Sequence, residues 1–136
     1  MAEVTKPIPR VTPEMAPFFE ASKRGQLVMQ KCESCGTLRF PPQPTCSRCL
    51  SADSSWAPVS GRGEVYTFNV MHQVYHSAFA PDIPYAVVVI KLEEGAKMLS
   101  NLVGIKPSEI RCGMPVEVIF ERMSDEVTLP KFRAVR

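Results

Sequence analysis

Cys32-Glu33-Ser34-Cys35-Gly36 and Cys46-Ser47-Arg48-Cys49-Leu50 are two Cys-x-x-Cys knuckles ten residues apart, with Pro41, Pro42 and Pro44 between them. A tetrahedral zinc ion needs four thiolates converging at about 2.3 Å, and two tight turns that each present two sulfurs meet that demand. Gly36 follows the first pair, where the chain needs a left-handed turn that a residue with a Cβ adopts reluctantly. The spacer is shorter than that of the commonest four-cysteine spacing, but short-spaced ribbons belong to the same class. Two disulfides or a redox dithiol are the alternatives. All four ligand positions are filled by cysteine, which favours one structural zinc held by Cys32, Cys35, Cys46 and Cys49.

Working outward from the knuckles, Gln26–Lys31 reads as a strand entering the first one and Thr37–Phe40 as its antiparallel return. A ribbon this small buries little core, so the metal is expected to supply most of its folding energy, on the order of 10 kcal/mol. Upstream, residues 1–11 carry Pro7 and Pro9 and read as an extended, poorly ordered lead. A short helix is expected from about Pro17 to Arg24, with proline in its first turn and Gly25 ending it. Phe18 and Phe19 start its apolar face. They either pack against the ribbon or form an exposed aromatic hook for a partner.

Downstream, Ser51–Ser60 is polar and reads as a link, with the single tryptophan, Trp56, packing at the junction. From Gly61 the pattern is that of strands. Glu64–Val74 alternates, with Val65, Thr67, Asn69 and Met71 on one face. Tyr85–Ile90 is apolar on both faces and pairs with Lys97–Val103 across the Glu93-Glu94-Gly95 turn. Pro107–Ile110 is a single helical turn, Pro115–Arg122 a fourth strand, and Val127–Val135 a fifth, which Pro130 assigns to a sheet edge. Five strands with a small helical element between the third and fourth match an OB-fold barrel. The fold class is therefore mainly β: an N-terminal segment and helix (1–25), a rubredoxin-like zinc ribbon (26–58) and a five-stranded OB-fold domain (59–136).

The 136 residues carry a formal charge of +2, and one divalent ion on four thiolates brings it to zero. Lys31, Arg39 and Arg48 lie in or beside the knuckles and offset the negative metal centre. Single-stranded nucleic-acid binding is the alternative that a zinc ribbon joined to an OB barrel raises. It needs a basic groove with stacking aromatics, and here the basic and acidic residues are interspersed, 16 against 14, with no stripe. No apolar run approaches the ~20 residues that span a bilayer, and Met1–Lys6 lacks the apolar stretch of a signal peptide. Metal-spaced cysteines plus the unpaired Cys112 fit a reducing cytoplasm. Cys112 itself reads as a buried, inert thiol.

Catalytic patterns are weak. His72 and His76 are the only histidines, and Ser77 and Asp82 lie near them, but no nucleophile turn, phosphate loop or dinucleotide fingerprint accompanies them. The ten-residue connection Tyr75–Pro84 is long for a hairpin and carries aromatics instead of charges, which suits a protein surface or an apolar acyl chain.

The order of these parts (Pro17-Phe18-Phe19, Cys-x-x-Cys-Gly, Pro-x-x-x-Cys-x-x-Cys, then a barrel) resembles the family of small acyl-CoA-associated zinc-ribbon/OB-fold proteins, known as a domain of unknown function. Cys112–Val118 and Leu129-Pro130-Lys131-Phe132-Arg133 are similar to that family as well. The resemblance covers nearly the whole chain. It implies a non-catalytic accessory subunit of a thiolase-like enzyme (a thiolase, aldolase or acyltransferase) that helps form or support an acyl-CoA site, in lipid or steroid metabolism. It carries over the four cysteines as zinc ligands and no catalytic residue. On that reading Phe18, Phe19, Tyr75 and Phe79 are candidates for partner or acyl contacts, and Arg39, Arg48 and Arg62 for CoA phosphates.

Overall fold

The computed structural model describes residues 5–135. Helix α1 (Ala16–Lys23) has proline in its first turn, and Gly25, at φ +73°, ends it. The N–H groups of Arg24 and Gly25 close back on the carbonyls of Ala21 and Ser22. Its inward face is Phe18, Phe19, Ala21 and Ser22, all buried. Phe18 and Phe19 thus do not form the exposed hook that the sequence left open. They stand edge to face, ring centroids 5.5 Å apart, and Phe18 lies a further 5.5 Å from Phe40.

The ribbon is a three-stranded antiparallel sheet. β1 (Val28–Cys32) is central, flanked by β2 (Leu38–Arg39) and β3 (Ser54–Pro58). β3 corrects the sequence reading, in which residues 51–60 were only a link. Its residues pair with β1 from Val28↔Pro58 to Cys32↔Ser54, so the polar Ser54-Ser55 pair sits in a strand with exposed ends and a half-buried middle. A half-exposed strand needs no apolar alternation to form when a partner supplies its hydrogen bonds.

The barrel contains β4 (Arg62–Met71), β5 (Tyr85–Leu92), β6 (Lys97–Val103), β7 (Pro115–Arg122) and β8 (Thr128–Ala134), closed in the order β4-β5-β6-β8-β7. The register of β4 against β5 shifts between Val65 and Thr67. This bulge breaks the single alternation, which put Val65, Thr67 and Asn69 on one face: Val65 is buried while Thr67 and Asn69 are exposed, and Phe68, half-buried, packs against the core. Gly61 makes a close approach at the barrel's start, since a Cβ there would lie 2.3 Å from Val118 Cγ1.

Pro130 does not make β8 an edge. β8 pairs with β7 along its whole length, and its parallel pairing with β6 involves only Leu102↔Phe132 and Val103↔Arg133, beyond the proline. The missing N–H therefore falls outside the β6 ladder, and the Pro130 carbonyl accepts from Ser100 Oγ at 2.9 Å. One apolar core joins the parts: Phe18, Phe19 and Met29 belong to the same buried cluster as Val88, Ile90 and Phe132. The Tyr75–Pro84 connection holds a 3-10 turn (Ser77–Asp82), and residues 107–109 form a second one, as the sequence indicated.

Candidate metal centre

Each knuckle is a backbone turn that aims amides at sulfur. In the first, the Cys32 N–H reaches the Thr37 carbonyl and the Gly36 N–H reaches the Cys32 carbonyl, both at 2.9 Å. The second repeats this, with Cys46 N–H to the Ser51 carbonyl and Leu50 N–H to the Cys46 carbonyl, both at 2.8 Å. The Cys35 amide donates to Cys32 Sγ at 3.5 Å and the Arg48 amide to Cys46 Sγ at 3.4 Å. Ser34 Oγ to Ser51 Oγ, at 2.9 Å, ties one knuckle to the other.

The four sulfurs lie within 4.8 Å of one another. Cys32 and Cys49 are 3.5 Å apart and Cys35 and Cys46 3.7 Å. A tetrahedron with metal–sulfur bonds of about 2.3 Å has sulfur edges of about 3.8 Å, so the cluster fits a four-coordinate ion and is too open for disulfides, whose sulfurs bond at about 2.05 Å. A closed set of four sulfurs leaves no position for a water or substrate, which makes it structural in kind.

The electrostatics are unequal among the ligands. Cys35 is drawn down to about 6, first by the Thr37 hydroxyl, 3.1 Å from its sulfur, and next by the Thr37 backbone. Cys32 is lowered, chiefly by the Cys35 amide. Cys49 receives the Ser51 amide, which lowers it, yet Cys32, burial, Cys35 and Cys46 together push it up to about 12. A divalent cation among the four sulfurs would favour the thiolate form of each.

The other candidate residues are dispersed. Phe18, Phe19, Phe40, Phe79 and Tyr85 line a mostly apolar groove of about 430 Å³ between α1 and the barrel. A neighbouring groove of about 330 Å³ shares Phe79 and Tyr85 and adds Lys6 and Asp82. Tyr75 stands 71% exposed beside them in sequence. The lead is not loose at Lys6, whose ammonium sits 2.6 Å from Asp82 and 5.5 Å from the Phe79 ring centroid. Residues 1–4 of that lead lie outside the described residues.

The three arginines do not converge. Arg39 is buried and donates to the Gln43 carbonyl, Arg48 is exposed, and Arg62 is engaged by Glu93 at 3.1 Å. That contact raises Arg62 and lowers Glu93, chiefly through the hydrogen bond between them. His72 is exposed, and His76 Nδ1 accepts the Ala78 N–H at the start of the 3-10 turn. Asp82 is held by Lys6, and no hydrogen bond among the described residues joins His76, Ser77 and Asp82. Cys112 is exposed, not buried as expected, because the turn before Gly113 carries it outside the barrel wall. Thr37 and Ser51, the two residues closing the knuckle turns, were not singled out from sequence. Their signal is position: each lies two residues past the last cysteine of its pair.

Two family models cover most of the chain. The ChsH2 rubredoxin-like zinc ribbon domain matches residues 19–54, and the ChsH2 C-terminal OB-fold domain matches residues 56–121. Among solved structures, a chain of the Ltp2-ChsH2(DUF35) aldolase superposes with a TM-score of 0.81 at 42% identity, over 93% of this chain and 98% of that one. The chain belongs to the DUF35 family. Two further relatives carry functional names. One is a probable enoyl-CoA hydratase alpha subunit of Thermomonospora curvata, 42% identical over 94% of this chain; this chain spans 40% of its length. The other is the benzoylsuccinyl-CoA thiolase subunit BbsA of Geobacter metallireducens, 30% identical over 74% of this chain and 68% of that one. A zinc ribbon and an OB barrel are therefore the two halves of this DUF35 chain, and no helix among the described residues is long and apolar enough to cross a membrane.

Proposed function

We propose that this chain is a non-catalytic accessory subunit of a thiolase-like enzyme, with one zinc ion on Cys32, Cys35, Cys46 and Cys49, and that it helps form or support the partner's acyl-CoA site. The observation that carries this reading is the likeness, over 93% of this chain, to a chain of the Ltp2-ChsH2(DUF35) aldolase. The chemistry of the chain agrees with it. The sulfur set is closed, His72 is exposed, His76 caps a 3-10 turn, and the groove beside α1 is mostly apolar.

Zinc supplies no reaction here; it fixes the ribbon. Because helix, ribbon and barrel share one core, a fixed ribbon means a preorganised surface, which lowers the ordering cost of association. Tyr75, the most exposed of the aromatic candidates, is assigned to the partner. Phe79 and Tyr85, with Phe18 and Phe19 behind them, are assigned to the acyl or pantetheine portion. Of the three candidate arginines, Arg48 is the one that is both exposed and without a carboxylate partner among the described residues, and it is the remaining candidate for a CoA phosphate. Co-expression with a thiolase-like enzyme encoded beside this chain tests the proposal: a stable complex whose activity needs this chain supports it, and a fully active enzyme alone refutes it.

A further inference from the structure

Arg39 is a buried cation without an anion. Its residue is 8% exposed, and one nitrogen, Nη2, donates to the Gln43 carbonyl at 3.0 Å. Nε and Nη1 are buried and have no partner among the described residues, and no carboxylate there pairs with the side chain. Burying an uncompensated charge costs heavily, so its persistence in a ribbon this small calls for a counter-charge.

The ribbon's register supplies one. Arg39 faces Gln30 across β1 and β2, and the Cys32 N–H bonds the Thr37 carbonyl two residues further along both strands. Alternation puts Arg39, Gln30, Thr37 and Cys32 on one face, with a step of about 7 Å between the two pairs. Four thiolates around a divalent ion carry a net charge of −2. Lys31 and Arg48, the other cations beside the knuckles, are exposed, where water screens them. Arg39 is the one of the three that is buried. It also seats the loop that leads to Cys46: Gln43 N–H donates to Gln30 Oε1 at 2.7 Å, and Gln30 Nε2 donates to Ser54 Oγ at 3.1 Å.

We propose that Arg39 is the buried counter-cation of the metal centre, a positioning residue whose charge sets how tightly zinc is held. The inference rests on the zinc reading above and is independent of the partner. The test uses the full chain and follows zinc transfer to a chromogenic chelator in the wild type, Arg39→Lys and Arg39→Met. Arg39→Met is expected to hold zinc about tenfold more weakly, the usual effect of losing a group that supports metal ligands, while Arg39→Lys stays within about threefold of wild type. Zinc held equally by all three overturns the proposal. So does an Arg39→Lys variant as weak as Arg39→Met, since the charge then carries nothing. If Arg39→Met does not fold, Arg39→Gln takes its place. If neither neutral variant folds even with excess zinc, the charge serves the fold itself and the proposal fails. A wild type without zinc refutes both this inference and the zinc reading, which separates that failure from the others.

Discussion

Gly36 and Leu50 occupy the same place in the two knuckles: each donates its N–H to the carbonyl of the first cysteine of its pair, and each has a left-handed backbone, φ +76° and +66°. Glycine takes that conformation freely, whereas leucine bears a cost of about 1 kcal/mol or more. The leucine side chain is 77% exposed, so little packing offsets the cost.

Leu50→Gly is therefore expected to stabilise the ribbon by about 1 kcal/mol, and Gly36→Ala to destabilise it by a similar amount. Thermal unfolding of the zinc-loaded chain reads both. A Leu50→Gly variant that melts earlier than wild type would show that the Leu50 side chain is held by something other than its own turn.

Removing one ligand is expected to do more. Cys46 is fully buried, and Cys46→Ser takes away a thiolate that three others surround. Elemental analysis should find about one zinc per wild-type chain and none in Cys46→Ser, with loss of the ribbon's β signal. A folded, metal-free variant would contradict a structural metal.

Acid acts in the same direction. Cys35 is lowered from 9.0 to about 6 in the folded chain, so its thiolate contributes stability in full above pH 9.0, and that contribution is lost as pH falls through about 6. Protons then compete with zinc for the sulfurs. Zinc release to a chelator should stay low near neutral pH and rise steeply below about pH 6; a flat profile would contradict the assignment.

The two aromatic groups should separate cleanly. Phe18→Ala removes a ring that is 3% exposed and is expected to cost about 3–5 kcal/mol of stability. Tyr75→Ala touches a ring that is 71% exposed and should leave the melting temperature nearly unchanged while weakening partner binding. Loss of stability in Tyr75→Ala would move that ring into the core of the fold.

Most of this architecture was legible in the sequence because it depends on residue types that tolerate few alternatives. Four cysteines in two knuckles specify the ribbon, and the β-rich run after Gly61 specifies a barrel. What escaped depends on pairing instead. β3 is polar because one face is solvent, so Ser54 and Ser55 read as a link until β1 supplies their hydrogen bonds. The bulge after Val65 inserts one residue, so Val65 and Thr67 no longer share a face. Pro130 reads as an edge signal, yet the β6 ladder simply begins after it.

The candidate site divides along the same line. Ligand identity follows from spacing, while the burial of Arg39 and the exposure of Cys112 depend on which side of a strand or turn each residue falls. The Lys6–Asp82 pair is a contact across 76 residues that no local pattern announces.

The most direct measurement is reconstitution. On the proposed function, a thiolase-like enzyme from the same organism, purified alone and then mixed with zinc-loaded wild-type chain, should gain acyl-CoA-processing activity and co-elute with it on size exclusion, while the Cys46→Ser chain should restore neither. Full activity of the enzyme without this chain, or turnover of an acyl-CoA by this chain unaided, would contradict the account.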